Sequence, residues 1–305
     1  MDSVSPVVSV VMATYNGAEY IKEQLDSILK QSVQPDEVII RDDCSTDSTV
    51  EIVNSFIEEN ELNNWRLIRS TKNIGWKANF HRLLTEAKGD IIFLCDQDDI
   101  WLEDKVKSQT KVLTENEDME LVASEFIVFS NEKPEKKEIG SKELERVAMK
   151  PGFFHLHHPG AVYALRKNLV DELEPYWDES MPHDAQLWVL STIRHSAAIY
   201  HNPLILYRRH DNTATGRDAL SYAVKKRNIE LEIKSLEAVR RFIKEQGTVD
   251  EYDLNIVENA IKHVNYRKEL VINKKLSYAI RIIPLIGHYS KRKTYFGDIR
   301  IALKR

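Results

Sequence analysis

Three carboxylates lie within four positions, directly after a short apolar run. Ile91–Leu94 has the composition of a buried strand, and Asp96, Asp98 and Asp99 follow it. Carboxylates crowded at a strand end repel one another unless a cation joins them, and Mg²⁺ commonly binds one or two carboxylates together with substrate phosphates. The cluster therefore indicates a metal–diphosphate site. The alternative is an acidic turn in which Asp98 or Asp99 caps the following helix.

Polar segments also follow three other predicted strands. The strands are Val7–Met12, Glu37–Arg41 and Trp65–Arg69, and the polar segments after them are Thr14–Asn16, Asp42-Asp43 and Asn73–Lys77. A helical pattern follows each segment, and this alternation with short connections predicts a parallel sheet with helices on both faces. Ligands bind outside the carboxyl ends of the strands in such sheets. We therefore expect all four polar clusters at one edge of the sheet.

The second half of the chain alternates less regularly. We predict a helix over 101–116, a strand over 120–130, an exposed loop or short helix over 133–150, a strand over 160–165, a helix over 184–194 and a short strand over 204–208. Two long helices follow, over about 219–246 and 250–273. The pattern predicts an α/β catalytic domain over 1–217 and a helical hairpin with a basic tail over 218–305.

Composition and targeting signals favour a cytosolic globular protein. The chain has 305 residues, 42% of them apolar and 30% charged, which suits one large domain with an appendage. Cys44 and Cys95 have neither disulfide-framework nor CxxC spacing, so we expect reduced thiols. Met1–Pro6 lacks the basic and apolar regions of a signal peptide. No apolar run approaches the ~20 residues that span a bilayer.

Four motifs, taken in order, resemble glycosyltransferase family 2, whose members share the GT-A fold. The motifs are Ser9–Asn16 (SVVMATYN), Arg41–Asp47 (RDDCSTD, similar to the family's DDGSTD), Asn73-Ile74-Gly75, and Asp96–Asp99 with its DxD element. The resemblance covers about residues 5–215. It implies a Rossmann-like sheet, a nucleotide-diphosphate sugar as donor, and Mg²⁺ or Mn²⁺ as cofactor.

Later motifs are similar to those of bacterial rhamnosyltransferase-like members. They are Pro159-Gly160-Ala161, His183-Asp184 followed by Leu187-Trp188, and Tyr207–Gly216, which resembles YRQHGxNxxG with Arg209 and Thr213 as departures. This narrower similarity implies transfer of rhamnose from a dTDP donor to a lipid-linked oligosaccharide in surface-polysaccharide synthesis. A UDP-hexose donor is the alternative.

The resemblance also implies roles for individual residues. Donor binding falls to Thr14, Tyr15, Asn16, Asp42, Asp43, Asn73, Gly75, Lys77, Asp96 and Gln97. Metal binding falls to Asp98 and His210. Some of these residues have ordinary alternatives: Tyr15 as a core residue, Asp43 as a helix cap, Lys77 as a solvated lysine and His210 as a turn histidine.

Asp184 is the candidate catalytic base. A carboxylate at the start of a helix can accept the proton of an acceptor hydroxyl, although it can also simply cap that helix. The resemblance implies one base and direct displacement, and hence inversion at the anomeric carbon. Trp101, Gly160 and His183 are the candidate acceptor-side residues, with a hydrophobic anchor and a plain turn as the alternatives for Trp101 and Gly160.

The C-terminal segment 274–305 is strongly basic. It holds nine lysines and arginines against one acid, Asp298, a net charge of +8 in a chain of net charge −5. Apolar and aromatic residues lie between these charges, a pattern that suits an anionic membrane surface. The alternative is a tail packed on the helical hairpin, broken at Pro284 and Gly287. The acidic remainder of the chain argues against nucleic acid as a partner.

Two other function classes compete with glycosyl transfer. A sugar nucleotidyltransferase should carry a Gly-rich, basic phosphate loop after the first strand, but Ala13–Gly17 has one glycine, and Lys22 is the first basic residue beyond it. A non-catalytic nucleotide-sugar binder would share the donor residues without a need for the base Asp184.

Overall fold

The computed structural model describes residues 5–130, 140–156, 158–209, 222–247 and 250–303. Its strands are β1 (Val8–Thr14), β2 (Glu37–Asp42), β3 (Trp65–Arg69), β4 (Ile91–Cys95), β5 (Ile100–Trp101), β6 (Leu121–Phe129), β7 (Leu144–Arg146), β8 (Tyr163–Arg166) and β9 (Ala197–Arg208). Its α-helices are α1 (Ile21–Leu29), α2 (Thr49–Glu59), α3 (Trp76–Glu86), α4 (Lys105–Glu115), α5 (Lys167–Leu173), α6 (His183–Ile193), α7 (Tyr222–Gln246), α8 (Glu251–Val271), α9 (Ser277–Ile282) and α10 (Arg292–Leu303). Short 3₁₀ helices cover Gly160–Val162, Glu174–Tyr176 and Ile283–His288.

The strands of the described residues form one mixed sheet. Its order is β3-β2-β1-β4-β8-β6-β9-β5, and β7 pairs with β9 beside this path. The first four strands in this order are parallel to one another, whereas β8 runs antiparallel to β4 and β6. All residues of β4 are buried, as expected for a strand covered by helices on both faces. The predicted α/β sheet with flanking helices and a helical C-terminal region is confirmed.

Strand register brings the predicted polar segments to one edge of the sheet. Thr14 pairs with Asp42, and Asp42 pairs with Arg69 at the end of β3. Met12 pairs with Cys95, the last residue of β4. The segments that follow β1, β2, β3 and β4 therefore leave the sheet at a common edge, as the alternation of strands and helices predicts.

Several local predictions of secondary structure are wrong or incomplete. Gly160–Val162 form a 3₁₀ helix before β8, and the short strand predicted over 204–208 is the end of the longer β9. The helix predicted from Trp101 to Asn116 begins only at Lys105, because Ile100-Trp101 form β5, which pairs antiparallel with β9. Within the stretch 133–150, predicted as a loop or short helix, Leu144–Arg146 form β7, which also pairs with β9. Both strands depend on a partner far away in the sequence, which local periodicity does not reveal.

The chain packs as two compact units. Unit 1 comprises the described residues of Met1–Val147, His158–Leu187 and Ser196–Asp211, and unit 2 those of Ala148–His157, Trp188–His195 and Asn212–Arg305. Unit 1 holds the sheet. In unit 2 the two long predicted helices are α7 and α8, and α9 and α10 pack on α8. No helix within the described ranges is long and apolar enough to cross a bilayer.

Candidate active site

The acidic cluster after β4 is compact. Asp96, Asp98 and Asp99 each offer a carboxylate oxygen, and these oxygens lie within 4.8 Å of one another. Burial, with the nearby charges of Asp98 and Asp184, raises the pKa of the Asp96 carboxyl to about 7. Burial, with the nearby charges of Asp96 and Asp98, raises the pKa of the Asp99 carboxyl well above its usual range. The cluster therefore has the electrostatics of a site that gains from a bound cation.

Arg208, the last residue of β9, donates hydrogen bonds to this cluster. Its backbone N–H donates to Asp99 Oδ1 at 2.8 Å, and its Nε donates to the carbonyl oxygen of Asp98 at 2.7 Å. Its Nη2 donates to Glu23 Oε2 at 2.5 Å. The guanidinium also lies 4.8 Å from the ring centre of Tyr20 and 4.5 Å from that of Phe129. A planar, five-donor side chain suits these simultaneous contacts.

A buried lysine lies on the core side of the same cluster. Lys105, at the start of α4, is 0% exposed, and its Nζ donates to Gln109 Oε1 at 2.7 Å. Burial lowers the pKa of Lys105 to about 7, while the charges of Cys95 and Asp99 oppose that shift. Lys105 therefore places an ammonium group, which is positively charged when protonated, in the core near Asp99.

The loop after β1 is joined to the loop after β2 by hydrogen bonds. Thr14 Oγ1 donates to Asp42 Oδ1 at 3.1 Å, and the backbone N–H of Ser45 donates to Asp42 Oδ2 at 2.8 Å. Asn16 Oδ1 accepts from the backbone N–H of Thr46 at 2.9 Å. Asn16 has a φ of 47°, a conformation that asparagine tolerates better than most residues. These bonds fix the shape of the predicted donor-binding edge.

Gln97 connects this edge to the acidic cluster. Its Oε1 accepts from the backbone N–H of Tyr15 at 2.9 Å, and its Nε2 donates to the carbonyl oxygen of Tyr15 at 3.1 Å. The Tyr15 side chain itself is 47% exposed, so the alternative of a core tyrosine does not apply. The exposed ring is available at the edge where the donor residues are predicted.

Asp43 bridges to the loop after β3. Its Oδ1 accepts from the backbone N–H of Ile74 at 2.8 Å and its Oδ2 from that of Gly75 at 2.7 Å. Gly75 also donates to Asn73 Oδ1 at 3.1 Å and has a φ of 84°, which favours glycine. The alternative of Asp43 as the cap of α2 is wrong, because Asp47 Oδ1 accepts the first backbone N–H of that helix.

Two predicted site residues, Lys77 and Trp101, contact protein groups other than the carboxylates of the acidic cluster. Lys77 Nζ donates to the carbonyl oxygen of Ser180 and lies 5.7 Å from the ring centre of Trp76. Trp101 is 3% exposed in β5, with the Lys105 Nζ 5.1 Å from the centre of its ring. This burial favours the hydrophobic-anchor alternative for Trp101, since almost none of its surface can meet an acceptor.

The other two acceptor-side residues lie against the candidate base. A Cβ placed on Gly160 would be 3.0 Å from Asp184 Cβ and 3.0 Å from His183 Nε2. The buried His183 ring stacks on Phe80 at 3.9 Å, and burial lowers the pKa of His183 to about 4. Asp184 opens α6 and adds to the electrostatic repulsion at Asp96. His210 lies outside the described residues.

The family comparison accounts for this arrangement. The model of "Glycosyl transferase family 2" matches residues 9–173, which include the acidic cluster and the three loops beside it. The chain belongs to glycosyl transferase family 2. A relative in this comparison is "dTDP-rhamnosyl transferase RfbG" of Shigella flexneri, 30% identical over 239 residues, which are 72% of this chain and 78% of the relative. The predicted family membership is confirmed.

Solved structures share the family 2 fold. S. aureus TarS 1-349 in complex with UDP aligns with a TM-score of 0.63 and 16% identity, over 97% of this chain and 88% of that one. A mannosyltransferase from Pyrobaculum calidifontis in complex with GDP-Man and Mn²⁺ aligns with a TM-score of 0.55 and 17% identity, over 99% and 86%. At these identities the likeness shows the fold alone. The predicted GT-A fold is confirmed.

Three residues near the cluster were not assigned a site role from sequence. Arg208 and Tyr207 belong to the Tyr207–Gly216 motif, which was interpreted only through His210. Burial and the charges of Asp96 and Asp99 raise the pKa of Tyr207 to about 12, which places its ring beside the acidic cluster. Lys105 gives no sequence signal, because a lysine four positions after Trp101 has the pattern of a solvated helix residue.

Proposed function

We propose that this family 2 glycosyltransferase transfers one sugar, with inversion, from a nucleotide-diphosphate donor to a lipid-linked saccharide acceptor. The observation that carries the proposal is the convergence of the Asp96, Asp98 and Asp99 carboxylates after β4; the charge of Asp184, on α6, also contributes to the raised pKa of Asp96. The Asp96–Asp99 cluster suits a metal ion that stabilises the leaving diphosphate, and Asp184 suits the acceptor hydroxyl that attacks the sugar. The two roles need separate positions on opposite sides of the transferred sugar.

The residues present fit a divalent metal ion. The three carboxylates converge, and Asp99 Oδ2 is a buried oxygen without a hydrogen-bond partner among the described residues. We assign Asp98 as the main ligand and Asp96 to the metal or the ribose, with His210 as a further ligand from the motif resemblance. A bound Mg²⁺ or Mn²⁺ supplies Lewis-acid stabilisation of the leaving diphosphate.

The donor edge positions the nucleotide. Thr14, Asn16 and Asp42 belong to one hydrogen-bonded unit, and exposed Tyr15 lies beside it. Thr14 and Asp42 are 2% and 0% exposed, so we expect them to position the exposed Asn16, whose amide can form hydrogen bonds with the base or with ribose hydroxyls. Because Asp43 fixes Ile74 and Gly75, we assign Asn73 and Gly75 to the same rim and expect Asp43 to act through them.

Asp184 is the proposed base. Because Gly160 has no side chain, Asp184 and His183 pack closely against its backbone, and this packing fixes the position of the candidate base. Asp184 would accept the proton of the acceptor hydroxyl as the oxygen attacks the anomeric carbon, a contribution of typically ~10²–10⁴-fold. Direct attack by the acceptor inverts the anomeric centre. His183, the first residue of α6, is buried and stacks on Phe80, which anchors the start of the helix that carries Asp184.

The donor assignment follows the relatives. The curated relative RfbG is named as a dTDP-rhamnosyl transferase, and the match spans most of both chains. We therefore propose dTDP-rhamnose as donor and a lipid-linked oligosaccharide of bacterial surface polysaccharide, at the inner face of the cell membrane, as acceptor. The second candidate is a UDP-hexose, favoured by the fold shared with TarS, which is solved in complex with UDP and UDP-GlcNAc.

A donor panel tests the proposal. The full-length protein is incubated with dTDP-rhamnose, UDP-glucose, UDP-galactose and UDP-GlcNAc, each with Mn²⁺, Mg²⁺ or EDTA, and nucleotide release is measured. We expect release from one donor only, abolished by EDTA and by Asp98→Asn. Release that is indifferent to metal would overturn the metal assignment. In a parallel incubation with a nucleoside triphosphate and a sugar 1-phosphate, formation of a nucleotide sugar would indicate a nucleotidyltransferase.

Asp184→Asn separates a transferase from a nucleotide-sugar binder. The substitution keeps the size and the hydrogen-bonding reach of the side chain but removes the base. We expect unchanged donor binding by calorimetry and transfer lowered by at least about 100-fold. Unchanged transfer would show that the base assignment is wrong, and absence of turnover in both proteins with intact donor binding would favour a binder. Asp171→Asn, on exposed α5, is the matched control.

A further inference from the structure

The single acid of the basic tail is not on the surface. Asp298 in α10 is 0% exposed. Lys225 Nζ donates to its Oδ1 at 2.6 Å, and Arg267 Nε and Tyr289 Oη donate to its Oδ2 at 3.0 and 2.9 Å. The carboxylate therefore balances cations inside unit 2 and contributes no negative charge to the tail's outer face.

The outer face of the tail carries only positive charge within residues 274–303. Its exposed basic residues are Lys274, Lys275, Arg281, Lys291, Arg292, Lys293 and Arg300. Lys275 lies 2.6 Å from Glu269 Oε2 on α8, which offsets one of the seven charges. The outer face of the tail is therefore basic, and the one acidic residue within 274–303, Asp298, is buried.

Exposed apolar side chains lie between these charges at helical spacing. Leu276, Ile280 and Ile283 follow one another at i, i+4 and i+7, and Ile280 is 74% exposed. On α10, Phe296 and Leu303 are 67% and 62% exposed and lie seven residues apart. Residues at these spacings share one helix face. Each segment thus presents an apolar stripe outward while Ile282, Tyr295 and Ala302 are buried.

The segments that carry the two stripes are linked. Tyr295 Oη of α10 donates to the carbonyl oxygen of Ala279 in α9 at 3.0 Å, and α10 also packs on the 3₁₀ helix that begins at Ile283. We name the surface formed by Leu276, Ile280, Ile283, Phe296 and Leu303, with the exposed basic residues around them, the tail surface. It combines large exposed apolar side chains with a uniform positive charge.

We propose that the tail surface docks on an anionic lipid bilayer. The exposed apolar side chains can enter the acyl-chain region of a bilayer, while the lysines and arginines beside them contact the lipid phosphates. A second copy of the chain suits the surface poorly, because a two-fold contact would place basic residues against basic residues. Nucleic acid would neutralise the charges but leave the exposed leucine and isoleucines without an apolar environment.

The functional role of membrane docking rests on the proposed lipid-linked acceptor, but docking itself can be tested without a donor or acceptor sugar. Full-length protein is mixed with vesicles of phosphatidylcholine alone or with 40 mol% phosphatidylglycerol, and the bound fraction is measured by co-sedimentation at low and raised salt. We expect binding to the anionic vesicles only, and a weakening with salt because exposed charges are screened. Failure to bind anionic vesicles would overturn the proposal.

Two variants test the two halves of the surface. Each basic residue near an anionic surface strengthens binding about fivefold, so Arg292→Gln with Lys293→Gln should weaken it about 25-fold. Ile280→Ser with Phe296→Ser should weaken it at least about tenfold, because the apolar contact is lost. Tyr252→Ser on α8 is the matched control, since Tyr252 is also 67% exposed but lies outside the tail surface.

The remaining outcomes are also decisive. Equal vesicle binding by the tail variants and the control would overturn the assignment of the surface. A concentration-dependent dimer that Ile280→Ser with Phe296→Ser abolishes, without vesicle binding, would assign the surface to a second copy instead. Nucleotide release in solution, measured on the same samples, tests the proposed enzyme activity separately, because the tail variants should leave it unchanged.

Discussion

The backbone N–H of Arg208 donates to Asp99 Oδ1 at 2.8 Å, although the two residues are 109 positions apart. The same residue donates through Nε to the carbonyl oxygen of Asp98. The end of β9 therefore determines where the acidic turn after β4 lies. A residue outside the DxD element, and late in the chain, positions the carboxylates that we assign to the metal.

Arg208→Lys should impair metal use without unfolding the protein. Lysine keeps the positive charge but cannot bond Asp98 and Glu23 simultaneously from one plane. Supporting residues of metal sites typically change affinity or activity by about 10–100-fold. We therefore expect the Mn²⁺ concentration for half-maximal nucleotide release to rise at least about tenfold, measured by metal titration.

Glu23→Gln is the control for Arg208→Lys. Glutamine retains an oxygen that can accept the Arg208 Nη2 hydrogen bond while losing the charge of the pair. Its metal titration should stay within about threefold of that of the unmodified protein. A normal metal requirement in Arg208→Lys would show that Arg208 serves stability alone.

Asp43→Asn should separate the two loops that Asp43 joins. Both Asp43 oxygens accept backbone N–H groups, from Ile74 and Gly75, and the side chain is 2% exposed. Asparagine offers one oxygen and turns an amide N–H toward the other donor. A buried donor left unsatisfied costs about 1–3 kcal/mol.

We expect Asp43→Asn to lower the free energy of urea unfolding by about 2 kcal/mol and to raise KM for the donor more than it lowers kcat. Asp26→Asn on α1 is the matched control, because Asp26 forms only a surface pair with Lys22 and should change stability by less than about 0.5 kcal/mol. A variant of full stability with normal KM would refute the bridging role.

Gly160→Ala should affect the transfer step. The added Cβ would lie 3.0 Å from Asp184 Cβ and from His183 Nε2, so the base must shift by a few tenths of an ångström. Misplacement of a catalytic group on the order of 1 Å costs about 100-fold, and a smaller shift should lower kcat about tenfold. Nucleotide affinity, measured by calorimetry, should not change, and a loss of that affinity instead would place Gly160 at the donor.

Local periodicity identified the first half of the sheet because its strands and helices form within one α/β repeat. Ile91–Cys95 is apolar throughout, and Val8–Thr14 is apolar except at Ser9 and at its last residue, a composition typical of parallel strands buried on both faces. Trp101 shows where the method fails. Its neighbours favour a helix, but pairing with Ile205 makes it a strand residue, and this long-range contact leaves no local pattern.

Site residues with a local sequence pattern were predicted, whereas those defined by three-dimensional contacts were not. The carboxylates were found because three acids at one strand end are conspicuous, and Asp184 was found through its motif. Arg208 gives no local signal because its contact with Asp98 spans 110 positions of the sequence. Lys105 gives none because its burial against Gln109 and Trp101 is visible only in the folded structure. In the tail, Asp298 counted as surface charge in the sequence, whereas its burial is visible only in three dimensions.

The buried His263 of α8 should make unit 2 sensitive to acid. Burial, together with the nearby Arg267, His288 and His155, lowers the pKa of His263 to about 2. Neither ring nitrogen of His263 has a hydrogen-bond partner among the described residues. The unfolded chain, with an ordinary histidine pKa of about 6.5, binds a proton between about pH 2 and 6.5 that the folded state does not. Stability should therefore fall as pH drops below about 6.5.

His263→Leu should remove this acid sensitivity. A histidine that stays neutral in the folded state but has a pKa of about 6.5 in the unfolded chain lowers the free energy of unfolding by about 2 kcal/mol at pH 5 relative to pH 8. We expect the variant to gain about that much more stability at pH 5 than at pH 8, measured by urea unfolding.

His201→Gln is the opposite control for His263→Leu. Glu145 and Glu125 raise the pKa of His201, so that its contribution to stability is present below about pH 6.5 and is lost as pH rises through the raised pKa. Its replacement should cost stability at pH 5 and little at pH 8. If His263→Leu and the unmodified protein lost stability equally between pH 8 and pH 5, the acid response would arise from other groups, of which His288 is the next to replace, because burial lowers its pKa to about 4.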